Sequence, residues 1–304
     1  MRLGGVHFSE HPQVPRKGSL VNFRRVIATI AVTLSAALSS THATASSIVT
    51  VQNRIDSAKI LADQRGTTTE IAYLDRTTGR FSGADARHAV QTASVVKLFI
   101  ADNLLYRESK GEFVLSAADR QEMSIMLQSS DDTAAQDFWT RFGGSPMVTD
   151  VIHRYQLGDA SAEDRWFDTL VSPADMVRYY DQLLRGNGGL PSAGRDFILN
   201  NIRQYTTHGT DGYDQCFGVP HAVDGCARTG TPGHIVQGVK QGWMQSEDGR
   251  YIHNSTDVLG PSGTVISVIF TQSPLGDSDD YDRESINEIA ASVFPSDLTP
   301  GSDK

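Results

Sequence analysis

Apolar residues recur at helical spacing through the middle of the chain and alternate at strand spacing near both ends. The helical pattern predicts a first helix over residues 48–64 and a strongly apolar one over 94–106, where Val95, Val96, Leu98, Phe99, Leu104 and Leu105 leave little polar face. Further helices are expected over 117–127, 131–142, 145–155 and 173–184. Alternating segments predict strands at 70–75 and around Phe81, joined by a turn at residues 77–80, and later at 234–239, 242–244, 251–259 and 264–271. The turn at residues 260–263 makes the last two a hairpin, and an acidic run leads into a closing helix over 282–294. Helix, two strands, several helices, a second group of strands and a last helix pack most economically as an α/β (α+β) fold. An antiparallel sheet is built from both ends of the chain, with a helical domain inserted between them.

The first 45 residues read as an export leader rather than structure. Arg24 and Arg25 form a basic start, residues 26–39 an apolar and small-residue stretch, and Ala43-Thr44-Ala45 a cleavage site, with cutting expected after Ala45. The apolar stretch of 14 residues is shorter than the roughly 20 that a membrane-spanning helix needs, so no transmembrane anchor is expected. Initiation at Val21 through an alternative start codon would account for the long polar stretch ahead of Arg24. The remaining organisation is a sheet domain from residues 46–93 and 206–304 around a helical domain at 94–205.

Removing the leader takes away five basic residues and one acidic residue, so a chain of 304 residues at −9 becomes one of 259 at −13. That acidity argues against nucleic acid and anionic lipid as partners and suits cationic or zwitterionic small-molecule substrates better. A secreted, periplasmic or cell-envelope monomer is expected. Two cysteines remain, Cys216 and Cys226, and in an exported chain they are expected to form a disulfide. No metal is expected, because neither a CxxC pair nor closely spaced histidines accompany them, and no cofactor motif is present.

Three short segments could carry chemistry. Ser94-Val95-Val96-Lys97 places a hydroxyl and an amine one helical turn apart at a predicted helix start, where the lysine can take the serine's proton; a helix-capping serine beside a surface lysine is the plainer alternative. Ser130-Asp131-Asp132 opens another helix and also suits a simple cap. Lys240-Gln241-Gly242-Trp243 puts a lysine within a strand pattern, which an edge strand could use against aggregation.

In this order the three segments resemble the S-x-x-K, S-D-N and K-T-G signature of class A β-lactamases and related penicillin-binding D,D-peptidases. The likeness extends to residues 70–75 with Thr78-Gly79, to Gln91-Thr92-Ala93 before Ser94, and to residues 171–176. It therefore spans nearly the whole mature chain. The resemblance implies a β-lactamase-like fold with Ser94 as acylated nucleophile, Lys97 as its proton acceptor and Ser130 as proton relay to the leaving nitrogen. Lys240 would hold the substrate carboxylate and tune Ser130, and the N–H groups of Ser94 and Trp243 would form the oxyanion hole. The reaction implied is acyl transfer from a β-lactam or a peptidoglycan-type amide.

The departures are specific. Asp132 replaces the family's Asn and could pair with Lys97, keeping it protonated. Gln241 replaces a Thr or Ser whose hydroxyl helps to bind a carboxylate, although its own bulk and donor offset part of that loss. The E-x-x-L-N stretch that carries the deacylating Glu is missing, which leaves Glu163 and Asp168 as candidate bases or as ordinary surface charges. Ser94 and Ser130 are 36 residues apart, shorter than class A enzymes lead one to expect, so the helical domain looks trimmed. A binding protein with impaired chemistry is the rival reading, and a secreted esterase a third.

Overall fold

The computed structural model describes residues 50–226 and 236–295, so the expected leader and the start of the strand at 234–239 lie outside the described residues. Helix α1 (Val51–Arg65) is capped at its start by the Thr50 hydroxyl and stopped by Gly66, whose φ of 68° few other residues adopt readily. Strands β1 (Thr68–Asp75), β2 (Arg80–Ala84) and the short β3 (Val90–Gln91) follow.

A 3-10 turn at Ala93–Val96 runs into α2 (Lys97–Ser109), which is buried from Lys97 to Leu105. Around it stand α3 (Ala117–Gln128), α4 (Asp132–Phe142) and α5 (Ser145–Tyr155). Strand β4 (Leu170–Val171) pairs with β3, and α6 (Pro173–Arg185), α7 (Ser192–Arg203) and α8 (Val219–Asp224) complete the helices before the second group of strands. That group is β5 (Val236–Gln245), β6 (Tyr251–Leu259) and β7 (Val265–Gln272), followed by α9 (Asp279–Val293).

The main sheet has the order β2-β1-β7-β6-β5 and is antiparallel throughout, so the first strands pair with the last. Successive residues face opposite sides of the sheet, and two cores result. Ala72, Val268, Phe270 and Val258 pack against α2 and its neighbours. Ile71, Tyr73, Ile269 and Leu259 pack against α1 and α9. Strand β5 forms one edge, and beside it the buried β6 carries a run of polar residues from His253 to Asp257. Their hydrogen bonds explain this run: Thr256 Oγ1 donates to Lys240 O at 2.7 Å and Asn254 Nδ2 to Gln91 O at 2.9 Å, tying β6 to both segments that flank Ser94.

Three sequence expectations change. The strands expected at 234–239 and 242–244 are one strand, because Lys240 and Gln241 are buried within it rather than interrupting it. The closing helix starts at Asp279 behind a Ser278 cap. Helix α7, unmarked in the sequence, forms because Ile198 and Ile202 are fully buried. Cys216 and Cys226 are disulfide-bonded.

Candidate active site

Ser94 lies in the 3-10 turn that leads into α2, and Lys97 one turn on is wholly buried. Lys97 Nζ donates to Ser94 Oγ at 2.9 Å, to Ser130 O at 2.6 Å and to Asp132 Oδ1 at 2.5 Å. From the edge strand, Lys240 Nζ donates to Ser130 Oγ at 2.9 Å and to Gln241 O at 2.9 Å. Ser94, Lys97, Ser130 and Lys240 therefore form one hydrogen-bonded group.

The backbone makes this convergence possible. Ala93 and Ser130 have φ of 46° and 55°, the left-handed region, which costs a non-glycine residue of order 1–3 kcal/mol. At Ser130 the outcome is a carbonyl and a hydroxyl both within reach of Lys97. Asp131, not Ser130, caps α4 by accepting from Ala134 N at 2.7 Å, which leaves the Ser130 hydroxyl to the two lysines.

Strand β5 presses on the Ser94 turn through Gly242. A Cβ there would lie 2.5 Å from Thr92 O and 3.1 Å from Ser94 N, so only glycine allows this approach. Gly242→Ala is expected to push the strand away and lower stability by about 1–3 kcal/mol; where Trp243 N–H serves as the oxyanion donor that the resemblance implies, acylation of Ser94 falls by about 10²-fold as well. Acyl-enzyme formation followed by mass, together with a thermal melt, checks both effects.

Burial drives the ionisation of the two lysines. It pushes Lys97 below the ordinary lysine range, and the negative charges of Asp132, Asp131 and Asp211 pull it only partly back. Lys240 is pushed well below that range by burial and by the positive charge of Lys97. A neutral amine beside a serine hydroxyl can accept its proton, and the second lysine is hydrogen-bonded to the Ser130 hydroxyl. Asp132 works against this, although its side chain is 71% exposed and its attraction correspondingly screened.

Gln241 is turned away from this group: its Nε2 donates to Phe217 O at 2.6 Å and its side chain is buried. Glu163 accepts from Ser161 Oγ at 3.0 Å, and Asp168 binds Arg165 and Gln91. The side chain from this loop that meets Lys97 is Trp166, buried, with its ring centre 4.8 Å from Nζ. Sequence reasoning missed this residue; its one signal was an aromatic pair, Trp166-Phe167, in an otherwise charged loop. Among the described residues no three His, Cys, Asp or Glu side chains converge as a metal site. His253 is wholly buried between Asp282 and Tyr213, an acid-imidazole-phenol chain under the edge strand.

No protein-family model matches the chain. Among curated proteins it is 40% identical over 244 residues to "Putative lipoprotein LppW" of Mycobacterium tuberculosis H37Rv, covering 80% of this chain and 74% of that protein, with the same figures for the Mycobacterium bovis protein. Among solved structures it resembles a β-lactamase from Chitinophaga pinensis (TM-score 0.63, 16% identity, 79% of this chain and 97% of that one). It is also similar to one from Streptosporangium roseum (TM-score 0.63, 16% identity, 79% and 96%). At such identities the likeness establishes a β-lactamase-like fold.

Proposed function

We propose for this chain, which belongs to the LppW family and has a β-lactamase-like fold, that Ser94 is acylated by an amide, ester or β-lactam carbonyl in the cell envelope and that the acyl-enzyme is long-lived. One observation carries the reading: a buried lysine with a lowered pKa lies 2.9 Å from the serine hydroxyl. Ser94 Oγ attacks the carbonyl carbon while its proton passes to neutral Lys97. The tetrahedral oxyanion is held by the N–H groups of Ser94 and Trp243, each worth about 3–4 kcal/mol of barrier in comparable sites. The C–N or C–O bond then breaks as Ser130, hydrogen-bonded to Lys240, delivers a proton to the leaving atom.

Deacylation is the weak step. Asp168 is neutralised by Arg165, Glu163 is bonded within its own loop, and Trp166 takes the place facing Lys97 where a carboxylate would have to activate water. A protein of this kind stays acylated, as a penicillin-binding protein does. The Lys97 to Asp132 ion pair favours a second reading, a binding protein of the same fold with little chemistry. The disulfide and the lipoprotein name of the relatives support an envelope location, with Cys216 and Cys226 joined to each other and carrying no lipid. A division into a sheet domain (46–93 and 206–304) and a helical domain (94–205) is part of the same reading.

Intact-protein mass after incubation with a penicillin, and separately with a neutral activated ester, tests it. A stable adduct that Ser94→Ala lacks is expected, and no adduct with either reagent would overturn the acyl-enzyme. Asp132→Asn removes a charge that favours the protonated form of Lys97, so acylation should rise by about three- to tenfold and its pH profile move to lower pH. An unchanged or slower rate in that variant would show that Asp132 does not restrain Lys97.

A further inference from the structure

The groups that border Ser94 also define what the substrate must carry, and that question rests on the acyl-transfer reading. Asp132 stands on the helical side, mostly exposed. Asp211 stands on the other side. Its neighbour Thr210 donates through its backbone N to Ser129 O at 2.8 Å, next to Ser130, and Asp211 Oδ2 accepts from Trp243 Nε1 at 3.2 Å. The charges of Asp131, Asp132 and Asp211 all reach Lys97. Arg165, the cation that the loop of Trp166 contributes, is already bound to Asp168 and Glu247.

Two independent observations then bear on the ligand. Gln241, the residue between Lys240 and Gly242, is buried with its amide nitrogen bonded to Phe217 O, away from Ser94 and Lys240, where the family's hydroxyl would meet a carboxylate. Trp243, which follows the glycine packed on the Ser94 turn, is stacked on Tyr213 with ring centres 4.9 Å apart and planes 14° from parallel, and its indole edge is hydrogen-bonded to Asp211. An aromatic surface with a carboxylate at its edge attracts an ammonium group through both charge and the ring quadrupole.

We infer that the acyl donor for Ser94 carries a positively charged ammonium group, received at Trp243 and Asp211, in place of a carboxylate. Chemically, the Ser94 Oγ–acyl bond forms, the bond from the acyl carbon to the leaving group breaks, and the serine proton passes to Lys97 and on through Ser130 to the leaving group. The ammonium group itself is unchanged.

Three p-nitrophenyl esters of matched length test this on the whole protein: 6-(trimethylammonio)hexanoate, heptanoate and hydrogen adipate. Release of p-nitrophenol and the mass of the acylated protein give the rate at Ser94, with Ser94→Ala as blank. At low ionic strength the cationic ester should acylate about tenfold or more faster than the anionic one, with the neutral ester between. The preference should shrink in about 0.5 M salt. Asp211→Asn should reduce it and Asp211→Lys reverse it. Equal rates, or a faster anionic ester, in the unaltered protein would overturn the inference and leave the acyl-enzyme standing.

If no ester acylates Ser94, the acyl-transfer reading fails, and the charge inference is decided separately. Ser94→Ala is titrated with 6-(trimethylammonio)hexanamide and with adipic acid monoamide, binding being read from tryptophan fluorescence. Tighter binding of the cationic amide supports the inference, whereas equal or tighter binding of the anionic one overturns it.

Discussion

Lys97→Met is expected to slow acylation of Ser94 by about 10³-fold, in the range that a positioned general base supplies. The substitution removes the amine 2.9 Å from Ser94 Oγ, and no other described side chain donates to that hydroxyl to replace it. The unaltered protein should acylate faster as pH rises through the lowered pKa of Lys97, because only the neutral amine can take the proton. The variant should lose that rise. Rapid-quench mass measurement between about pH 5 and 10, with circular dichroism to confirm folding, reads both effects. Methionine fits the buried site without an ammonium to desolvate, so the fold should survive. A rate within a few-fold of the original would remove Lys97 from the mechanism.

The second large effect is on stability. Asp102 is wholly buried at the centre of α2, where it accepts from Arg154, from Tyr155 OH at 2.7 Å and from Tyr179 OH at 3.3 Å. Burial raises its pKa, with Arg154 and the phenols opposing. Arg154→Met leaves that carboxylate without its counter-ion and should cost about 3–5 kcal/mol. A carboxylate whose folded pKa lies above its unfolded value binds more protons when folded. The variant's stability should therefore fall as pH rises from the unfolded value of about 3.8 through the raised folded value, and be regained on acidification. Urea unfolding at pH 5 and pH 8 measures it. A variant no less stable at pH 8 than at pH 5 would mean that Asp102 has found another partner. Since α2 holds Lys97 at one end and Asp102 further along, this ion pair also fixes the helix on which the candidate site is built.

Much of the architecture could be read from residue pattern. Residues 145–155 and 251–259 match their elements end to end, since Gly144 and the Gly249 turn bound them sharply. Helix α7 could not be read in this way: Pro191, Gly194 and two asparagines weaken its local preference, and burial of Ile198 and Ile202 decides the outcome. Strand β5 looked broken because Lys240 and Gln241 interrupt the apolar alternation, yet both are buried, with Lys240 Nζ donating to Ser130 Oγ and Gln241 Nε2 to Phe217 O.

The same reasoning applies to the candidate site. Ser94, Lys97, Ser130 and Lys240 stood out through their likeness to a family's motifs rather than through spacing alone, and the fold brings them into one hydrogen-bonded group. Trp166 was not, because the composition of residues 162–168 does not tell which side chain turns inward. Arg165 draws Asp168 aside and leaves the indole to face Lys97. The pairing of Asp132 with Lys97 was expected and is found, whereas the turn of Gln241 onto Phe217 O depends on an element the pattern does not connect to it.

The pairing of β1 with β7 has a consequence for the order in which the molecule can be assembled. Thr68 lies opposite Gln272, so the strand made first has its inner neighbour among the last to be synthesised. Until then β1 has only the hairpin partner β2, and its other edge is open to pairing with strangers. Such non-local closure is slow and has to wait for a nearly complete chain. A truncated product ending before residue 265 should therefore aggregate rather than fold, and a chain threaded through a membrane could remain extended until its last hairpin has crossed.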